Sequence, residues 1–190
     1  NARVPLARRQ STEPLVLSYA QQRLWFLDQL APGLAVYNIP STIRFDTSID
    51  RRLLERSLNE IVRRHEILRT TYAVVDGQPR QVITATLHVP VSEIDLRAVR
   101  AEVREREALR ILSEEAARPF DLASGPLIRA CLVTLADADH VFLLTMHHIV
   151  TDGWSMTILF DELTALYTAF AAGRASPLPA LAIQYADFAI

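Results

Sequence analysis

The sequence predicts an α/β fold in which helices flank a mixed β-sheet. Two apolar runs, at residues 127–135 and 140–146, have the length and composition of buried strands. Three other segments, at about 50–65, 98–118 and 155–171, carry helical patterns. Because strands and helices follow one another along the chain and a hairpin adds antiparallel pairing, we expect layers of helices around a mixed sheet.

The first third of the chain predicts two helices separated by a strand. Apolar residues within 19–30 fit a short helix, which the turn residues of the following Pro-Gly pair would end. Residues 42–45 are typical of a strand. Asp50 suits the N-cap of a helix that reaches about His65. The apolar stripe of this helix comprises Leu53, Leu54, Leu58, Ile61 and Val62.

The pair Asp76-Gly77 predicts a β-hairpin. Its strands would cover residues 72–75 and 81–84. Pro79 lies at the entry to the second strand and cannot donate a ladder hydrogen bond, so this strand is expected to be an edge or to begin irregularly.

The second half of the chain predicts helices on both sides of the two apolar strands. The helix over 98–118 would end at Pro119. Its interleaved arginines and glutamates are typical of a solvated helix face rather than of a nucleic-acid surface. The helix over 155–171 would end near Gly173, and two prolines then break the pattern.

Composition is that of a compact domain and excludes some classes of function. The chain has 190 residues, is 50% hydrophobic and carries a net charge of -2, which offers no electrostatic footprint for nucleic acid or a membrane. Cys131 is the single cysteine, and no stretch approaches about 18 uninterrupted apolar residues, so a cytoplasmic location is the default expectation. Residues 1–14 suit an exposed linker, in which Arg3, Arg8 and Arg9 would form a solvated tether.

The run Met146–Trp154 places two histidines, an aspartate and a glycine directly after a predicted strand. Side chains alternate across a strand, so His147 and His148 should point to opposite sides, and only one can face a substrate cleft. A neutral imidazole can accept a proton near neutral pH, and we assign that chemistry to His148. The pattern is typical of an acyl-transfer active-site loop.

Two alternatives compete with this interpretation of the histidines. A zinc site on a helix requires histidines four residues apart, whereas adjacent histidines on a strand diverge and the single cysteine is distant in sequence. No metal is therefore expected. A lone histidine is usually a satisfied core residue, but two adjacent histidines followed by Asp-Gly are harder to explain in that way.

Four segments in order resemble the core motifs of condensation domains from nonribosomal peptide synthetases, which are relatives of chloramphenicol acetyltransferase. The run Met146–Met156 is similar to the third motif and its HHxxxDG signature. Ser18–Leu27 resembles the first motif, Arg64–Tyr72 the second and Tyr185–Ala189 the opening of the fourth. Together these motifs span nearly the whole chain.

The resemblance implies a chloramphenicol acetyltransferase-like fold and one of the two halves of a V-shaped condensation domain. Residues 1–14 would lead from a preceding carrier domain, 15–176 would form the N-terminal subdomain, and 177–190 would begin the crossover to a C-terminal subdomain. The reaction centre of the family lies between the halves, so the isolated fragment is expected to be inactive.

The resemblance also implies the reaction and its partners. A donor acyl or peptidyl group would arrive as a thioester on the phosphopantetheine arm of a carrier protein. The amine of an aminoacyl group on an acceptor carrier protein would attack it and form an amide. An adjacent adenylation domain is implied as a further partner, and no cofactor is expected to bind directly.

By this resemblance the catalytic residues are His148 and Gly153. His148 would act as a general base or orient the attacking amine. Gly153 has no Cβ, so it would let backbone N–H groups approach the developing oxyanion or allow a strained turn into the following helix. A simple turn glycine is the alternative.

Five further residues are assigned structural roles in the site. Asp152 would pair with Arg64 or Arg69 of the second motif, unless it serves only as a helix cap. His147 would fix the loop by hydrogen bonding, and Trp154 would pack behind it.

Two motif features stay open between a functional and a structural role. His65 either acts directly or is a histidine at a helix C-terminus that interacts with the helix dipole. In the first motif, Gln21, Gln22 and Arg23 could contact a carrier, whereas its aromatic residues are expected to pack.

Several functions compete with condensation. An epimerisation domain of the same superfamily would use the histidine pair for proton transfer at an α-carbon, and a catalytically inactive recruitment module would have lost the pattern that His148 and Asp152 retain. A free-standing acyltransferase using coenzyme A is a third alternative. Heterocyclising relatives carry aspartates in place of the histidines and are disfavoured. The residues of Leu17–Leu27 and Tyr37–Pro40 favour subtypes with D-configured or polyketide donors.

Overall fold

The computed structural model describes residues 8–9 and 15–190. Helices and strands follow in the order α1 (Tyr19–Leu30), β1 (Asn38–Phe45), α2 (Arg51–Arg64), β2 (Thr70–Val75), β3 (Gln78–Ile83), β4 (Val91–Asp95), α3 (Ala101–Ala117), β5 (Ile128–Ala136), β6 (Asp139–His147), α4 (Gly153–Ala171) and α5 (Tyr185–Ala189). A 3-10 turn, Glu66–Arg69, joins α2 to β2. The α/β class with a mixed sheet is confirmed.

The main sheet has four strands in the order β1-β6-β5-β4. The β1–β6 and β6–β5 pairs are antiparallel, whereas β5 and β4 run parallel. Strand β6 is therefore interior, and the residues that follow it leave from the middle of the sheet. The hairpin β2–β3 forms a separate two-stranded sheet.

The two faces of the sheet are covered by different helices. Alternate residues of β5 and β6 pack with α2 and α4 in the larger core, which includes Leu58, Ile61, Leu132, Phe142, Leu144 and Leu166. The intervening residues pack against α3 in a second core, which includes Leu96, Ala108, Leu112, Cys131, Val133 and Leu143. This burial on both faces explains why β5 and β6 are almost continuously apolar. The same burial raises the pKa of the Cys131 thiol and keeps it protonated.

The predicted helix and hairpin starts have identifiable local causes. The Asp50 carboxylate caps α2 by accepting hydrogen bonds from the amides of Arg52 at 2.8 Å and Leu53 at 3.3 Å. In the hairpin, Asp76 and Gly77 both adopt positive φ, at 51° and 73°, as a type I′ turn requires. Both signals were readable in the sequence.

Strand β4 was not predicted from the sequence. It has only five residues, and three of them, Ser92, Glu93 and Asp95, are polar or charged. It lies at the edge of the main sheet, where such side chains remain solvated. The pattern that a half-exposed edge strand produces is too short to stand out from a polar loop.

The solvated tether expected at Arg8 and Arg9 is wrong for Arg9. Arg8 is exposed, but the Arg9 guanidinium lies 2.6 Å from a Glu66 carboxylate oxygen and 3.0 Å from one of Asp187. The Asp187 side chain is only 1% exposed, so this pairing supplies the charge that a buried carboxylate needs. The rest of the predicted linker, including Arg3, lies outside the described residues.

Helix α5 is held in place by hydrogen bonds next to the Arg9 ion pairs. The Gln184 side chain accepts a hydrogen bond from the Glu66 amide at 3.1 Å and donates to the Arg64 carbonyl at 3.0 Å. Tyr185, the first residue of α5, is thereby held against the domain, and its hydroxyl lies 2.9 Å from the Ser18 hydroxyl. The fourth sequence motif thus contacts the first and second. Among the described helices, none combines the length and apolar composition needed to cross a membrane.

Replacing Leu58 by alanine tests the larger core. Leu58 is 0% exposed, so Leu58→Ala should reduce the free energy of unfolding by roughly 3 kcal/mol through lost burial and the cavity left behind. Leu109→Ala is the matched control, because Leu109 on α3 is 63% exposed and its truncation should change stability by less than about 0.5 kcal/mol. Chemical unfolding measures both. Equal losses in the two variants would contradict the layer arrangement.

Candidate active site

The two signature histidines diverge at the end of β6. His147 is 2% exposed, whereas His148 is exposed and lines a cleft. The predicted alternation is therefore confirmed: the last residue of the strand points inward and its neighbour outward. Backbone hydrogen bonds fix this register, since the His147 amide donates to Leu127 at 3.1 Å and the His148 amide to Tyr37 at 2.8 Å.

The His147 ring is enclosed and neutral. Its Nδ1 accepts a hydrogen bond from the Ile149 amide at 3.1 Å. The rings of Tyr37 and Phe120 lie edge-on to it, with centroids 6.1 and 6.3 Å away. Burial, with a smaller contribution from the neighbouring His148, lowers the pKa of His147 to about 4. The ring can therefore accept the Ile149 hydrogen bond throughout the neutral pH range.

The His148 ring is oriented by the loop that follows it. Its Nδ1 lies 2.7 Å from the Thr151 carbonyl oxygen. Because a carbonyl oxygen only accepts, Nδ1 carries the hydrogen, and Nε2 of the neutral ring has a free lone pair. This is the tautomer that a proton acceptor facing the cleft requires.

The cleft beside His148 has a volume of about 580 Å³. It lies between α1, the end of α2, the start of α4 and the loop of residues 148–152, which we call the signature loop. Its polar lining includes Gln21, Arg23, Tyr37, His65, Thr151, Asp152, Ser155 and Tyr185. Its apolar lining includes Leu24, Leu27, Ile61, Ile67, Leu68, Ile149, Val150, Ile158 and Leu159. A mostly apolar cleft with a few polar groups is the usual form of a small-molecule site.

The predicted pairing of Asp152 with Arg64 or Arg69 is wrong. The Asp152 carboxylate caps α4, accepting hydrogen bonds from the Ser155 amide at 2.8 Å and the Ser155 hydroxyl at 2.7 Å. These bonds lower the pKa of Asp152. Arg64 instead pairs with Glu162 at 2.9 Å, and the Arg69 guanidinium donates to the Thr84 carbonyl. The capping alternative is what the structure shows.

Gly153 and Trp154 begin α4 and also differ from expectation. Trp154 is 79% exposed, so the prediction that it packs behind the loop is wrong. Gly153 does not adopt a positive φ, and a Cβ added there would meet no atom within 4 Å. The strained-turn interpretation of Gly153 is therefore wrong, because its backbone and surroundings in the described residues accept a side chain. Its assignment to the oxyanion stays a prediction.

A buried relay that connects three motifs was missed in the sequence. Gln21 is 1% exposed and donates from Nε2 to the Tyr72 hydroxyl at 2.8 Å. The Tyr72 hydroxyl donates onward to the Ile149 carbonyl at 3.3 Å, next to His148 in the chain. Burial raises the pKa of Tyr72, which keeps this donor protonated. The first and second motifs thus hold the signature loop from beneath.

One signal could have located this relay. Ser18 and Gln21 have the spacing of a capping box, in which the third residue folds back to the cap. The Gln21 oxygen indeed accepts from the Ser18 amide at 3.0 Å. This hydrogen bond turns the Gln21 side chain toward the protein interior. A contact with a carrier protein would need the side chain in solvent.

No metal site emerges from the geometry. Within residues 8–9 and 15–190, no group of three or more His, Cys, Asp or Glu side chains is placed to hold a metal ion. In the described cleft the groups with chemical capacity are an oriented imidazole, hydroxyls and an apolar wall. They are suited to accepting a proton and binding an apolar group.

Comparison with known proteins places the chain in a family. The model of the condensation domain matches residues 11–190, and the chain belongs to this family. It is 48% identical over 181 residues to one of the linear gramicidin synthase proteins of Brevibacillus parabrevis, covering 95% of this chain and 4% of that protein. It is 48% identical over 176 residues to phosphinothricin tripeptide synthetase PhsC of Streptomyces viridochromogenes, covering 93% of this chain and 16% of the relative.

Solved structures agree with the fold and with the family. The X-domain in its complex with OxyB from teicoplanin biosynthesis superposes with a TM-score of 0.88 at 30% identity, over 100% of this chain and 40% of that one. The first condensation domain of the CDA synthetase gives a TM-score of 0.80 at 29% identity, over 90% of this chain and 44% of that one. The chain therefore spans less than half of each of these structures and a small fraction of the synthetases.

Tyr72→Phe tests the buried relay. Removing the hydroxyl leaves the Gln21 amide and the Ile149 carbonyl without this partner in the interior, so the free energy of unfolding should fall by about 1–3 kcal/mol. Tyr19→Phe removes the same atom from a side chain that is 92% exposed and should be neutral. Urea unfolding of both variants makes the comparison. A neutral Tyr72→Phe would show that the relay contributes nothing to the stability of the loop.

The depressed pKa of His147 predicts a pH dependence of stability. Between pH 6.5 and about 4 the unfolded chain binds a proton at this histidine and the folded protein does not, so stability falls as the pH is lowered through this window. The full loss should amount to about 3 kcal/mol.

The matched variant is His147→Asn, whose side-chain oxygen can still accept from the Ile149 amide but cannot be protonated. Urea unfolding at a series of pH values should give a flatter profile for this variant across the window. Parallel profiles for the variant and the wild type would refute the assignment of a neutral, buried His147.

Proposed function

We propose that this chain is the N-terminal subdomain of a condensation domain and contributes the proton-accepting half of an amide-forming site. The observation that carries the proposal is the His148 ring, which lines the cleft and is oriented by the hydrogen bond from Nδ1 to the Thr151 carbonyl, so that Nε2 is the nitrogen available to a substrate. The family assignment supports it, because condensation domains belong to peptide-forming synthetases such as the gramicidin and phosphinothricin enzymes to which this chain is similar.

The reaction assigned to the site is attack of an amine on a thioester. The acceptor's neutral amine bonds to the carbonyl carbon of the donor, the carbonyl becomes an oxyanion, and collapse of this adduct breaks the carbon–sulfur bond. The amine proton passes to Nε2 of His148 and then to the departing thiolate, which leaves as a thiol. The products are an amide and a free thiol, and no other reactant is needed.

The remaining site residues support this step in the proposal. Backbone N–H groups at Gly153, where α4 begins, would stabilise the oxyanion through the positive end of the helix. Asp152 holds that helix start by capping it, and His147 supports the loop through the Ile149 amide. Arg64 and Arg69 act at a distance, by tying α2 and the 3-10 turn to their surroundings.

The proposed partners follow from the chemistry of the substrates. Donor and acceptor would each be carried as thioesters on phosphopantetheine arms of carrier proteins, and an adenylation domain would load the acceptor carrier. The C-terminal half of the same domain would cover the exposed side chains that line the cleft, among them Ile158 and Tyr185, which are 44% and 37% exposed. The segment alone would be inactive. A cytoplasmic location is part of the proposal.

Recruitment of a partner enzyme is the second candidate function, because the chain is also similar to an X-domain that was solved in complex with OxyB. The cleft of this chain retains an imidazole in the tautomer suited to proton transfer, which a purely recruiting surface does not need. Epimerisation of a tethered aminoacyl group would use the same imidazole, and only the product distinguishes it from condensation.

Single-turnover amide formation tests the function. The protein is the condensation domain with both halves, supplied with donor- and acceptor-loaded carriers. Wild type should form the amide, and His148→Ala should slow it by roughly 10²- to 10⁴-fold, the usual contribution of general acid–base catalysis. His88→Ala is the matched control, since the His88 side chain is 67% exposed and does not line the cleft.

Each other outcome points elsewhere. Exchange of the donor α-hydrogen without amide formation would replace condensation by epimerisation. Absence of both activities in a folded, correctly loaded wild type would favour recruitment. Undiminished amide formation by a folded His148→Ala would exclude His148 as the proton acceptor.

A further inference from the structure

A second imidazole borders the cleft and is held by a buried carboxylate. His65 follows the last residue of α2, and its Nε2 lies 2.7 Å from an oxygen of Glu162 on α4. The other Glu162 oxygen accepts a hydrogen bond from Arg64 at 2.9 Å. The side chains of His65 and Glu162 are 24% and 11% exposed, so this cluster is largely shielded from water but reaches the cleft.

The carboxylate determines which nitrogen of His65 carries the hydrogen. With the Arg64 guanidinium on one oxygen, Glu162 is the ionised partner and can only accept hydrogen bonds. Nε2 of His65 must therefore be the donor, and Nδ1 has a lone pair whenever the ring carries a single hydrogen. Among the described residues, Glu162 is the one group that hydrogen-bonds this ring.

The surroundings of His65 favour a polar ligand at this point. The neighbouring cleft residues are apolar, including Ile61, Ile67 and Leu68. A ligand N–H group placed there would lose its hydrogen bonds to water and could regain one at His65. A histidine that merely interacts with the dipole of α2 would need neither the buried carboxylate nor access to the cleft.

We propose that His65 is a substrate-binding residue, which accepts a hydrogen bond from a non-reacting N–H of the donor acyl chain, and that Glu162 is the positioning residue that fixes its tautomer. This inference rests on the proposed function. The reacting amine of the acceptor is assigned there to His148. We assign to His65 the donor N–H that stands nearest in the chain to the reacting carbonyl, the one on the α-nitrogen of an aminoacyl or peptidyl donor.

Two matched ligands isolate this hydrogen bond. The first is N-formyl-leucyl-pantetheine in which an amide replaces the thioester, so that it cannot react. The second is identical except that oxygen replaces the N–H at the leucyl α-carbon. The two differ in one donor and scarcely in shape, and the leucyl group suits the apolar cleft lining. Isothermal titration of each into the two-half condensation domain gives a ratio of dissociation constants.

Wild type should bind the N–H ligand roughly 3- to 10-fold more tightly than the oxygen ligand, the value of one neutral hydrogen bond. In His65→Ala the ratio should fall to about 1. His88→Ala should keep the wild-type ratio, because the His88 side chain is 67% exposed on another surface. It is a matched control, since His88 also lies beside a glutamate, Glu55, at 3.4 Å. A thermal melt of each variant checks its folding.

Glu162→Gln separates a positioning role from a structural one. Arg64 would retain the amide oxygen of the new side chain, which turns the amide NH₂ toward Nε2 of His65 and forces the hydrogen onto Nδ1. The ring would then donate instead of accept, and the preference for the N–H ligand should disappear although the ring is still present. If His65→Ala failed to fold, this variant would carry the test.

The outcomes distinguish this inference from the proposed function. Saturable binding with less than a twofold preference in wild type, a preference that survives His65→Ala, or no saturable binding of either ligand would overturn the role of His65. Binding with the expected ratios in a protein that forms no amide from loaded carriers would overturn the proposed reaction and leave the binding role in place.

Discussion

The whole site depends on the pleat of one buried strand. Strand β6 is paired on both edges and covered on both faces, so a shift of its register by one residue would exchange the side chains that fill its two cores. That constraint decides which of two chemically identical side chains enters the interior. His147 becomes part of the core, and His148 is left at the cleft. The register of the sheet, rather than the loop, therefore determines which imidazole faces the cleft.

Most of the fold was predictable because its signals are local. The apolar runs of β5 and β6 reflect burial on both faces, the cap of α2 is visible at Asp50, and Asp76-Gly77 has the conformational freedom that its turn requires. Strand β4 escaped prediction because its pairing with β5 joins residues far apart in sequence, and its own pattern is that of a polar loop. A helix or a buried strand can be recognised from its own sequence pattern, whereas a short edge strand depends on the strand with which it pairs.

The position of the cleft histidine was predictable from the sequence, but the hydrogen-bond and ion-pair partners of its neighbours were not. The position of His148 follows from alternation along β6, whereas the partner of Asp152 does not, because two arginines and a helix cap compete for one carboxylate. The Asp152 carboxylate bonds to the partner nearest in sequence. The Ser155 amide and hydroxyl are three residues away and reach the carboxylate without the folding of distant segments. Arg64 forms its ion pair with Glu162 instead, a residue that belongs to none of the sequence motifs. Pairings of this kind depend on how α2 packs on α4.

The ion pairs of Arg9 bear on how such a domain can be exchanged between synthetases. Burial alone would raise the pKa of Asp187, but hydrogen bonds from Gln184 and Arg9 hold it below its usual range. A chimeric junction placed between Arg9 and Leu15 would replace the partner of that carboxylate and of Glu66 by whatever residue the upstream segment supplies. A segment that is to be exchanged should therefore include Arg9, so that the guanidinium and both of its carboxylate partners come from the same protein.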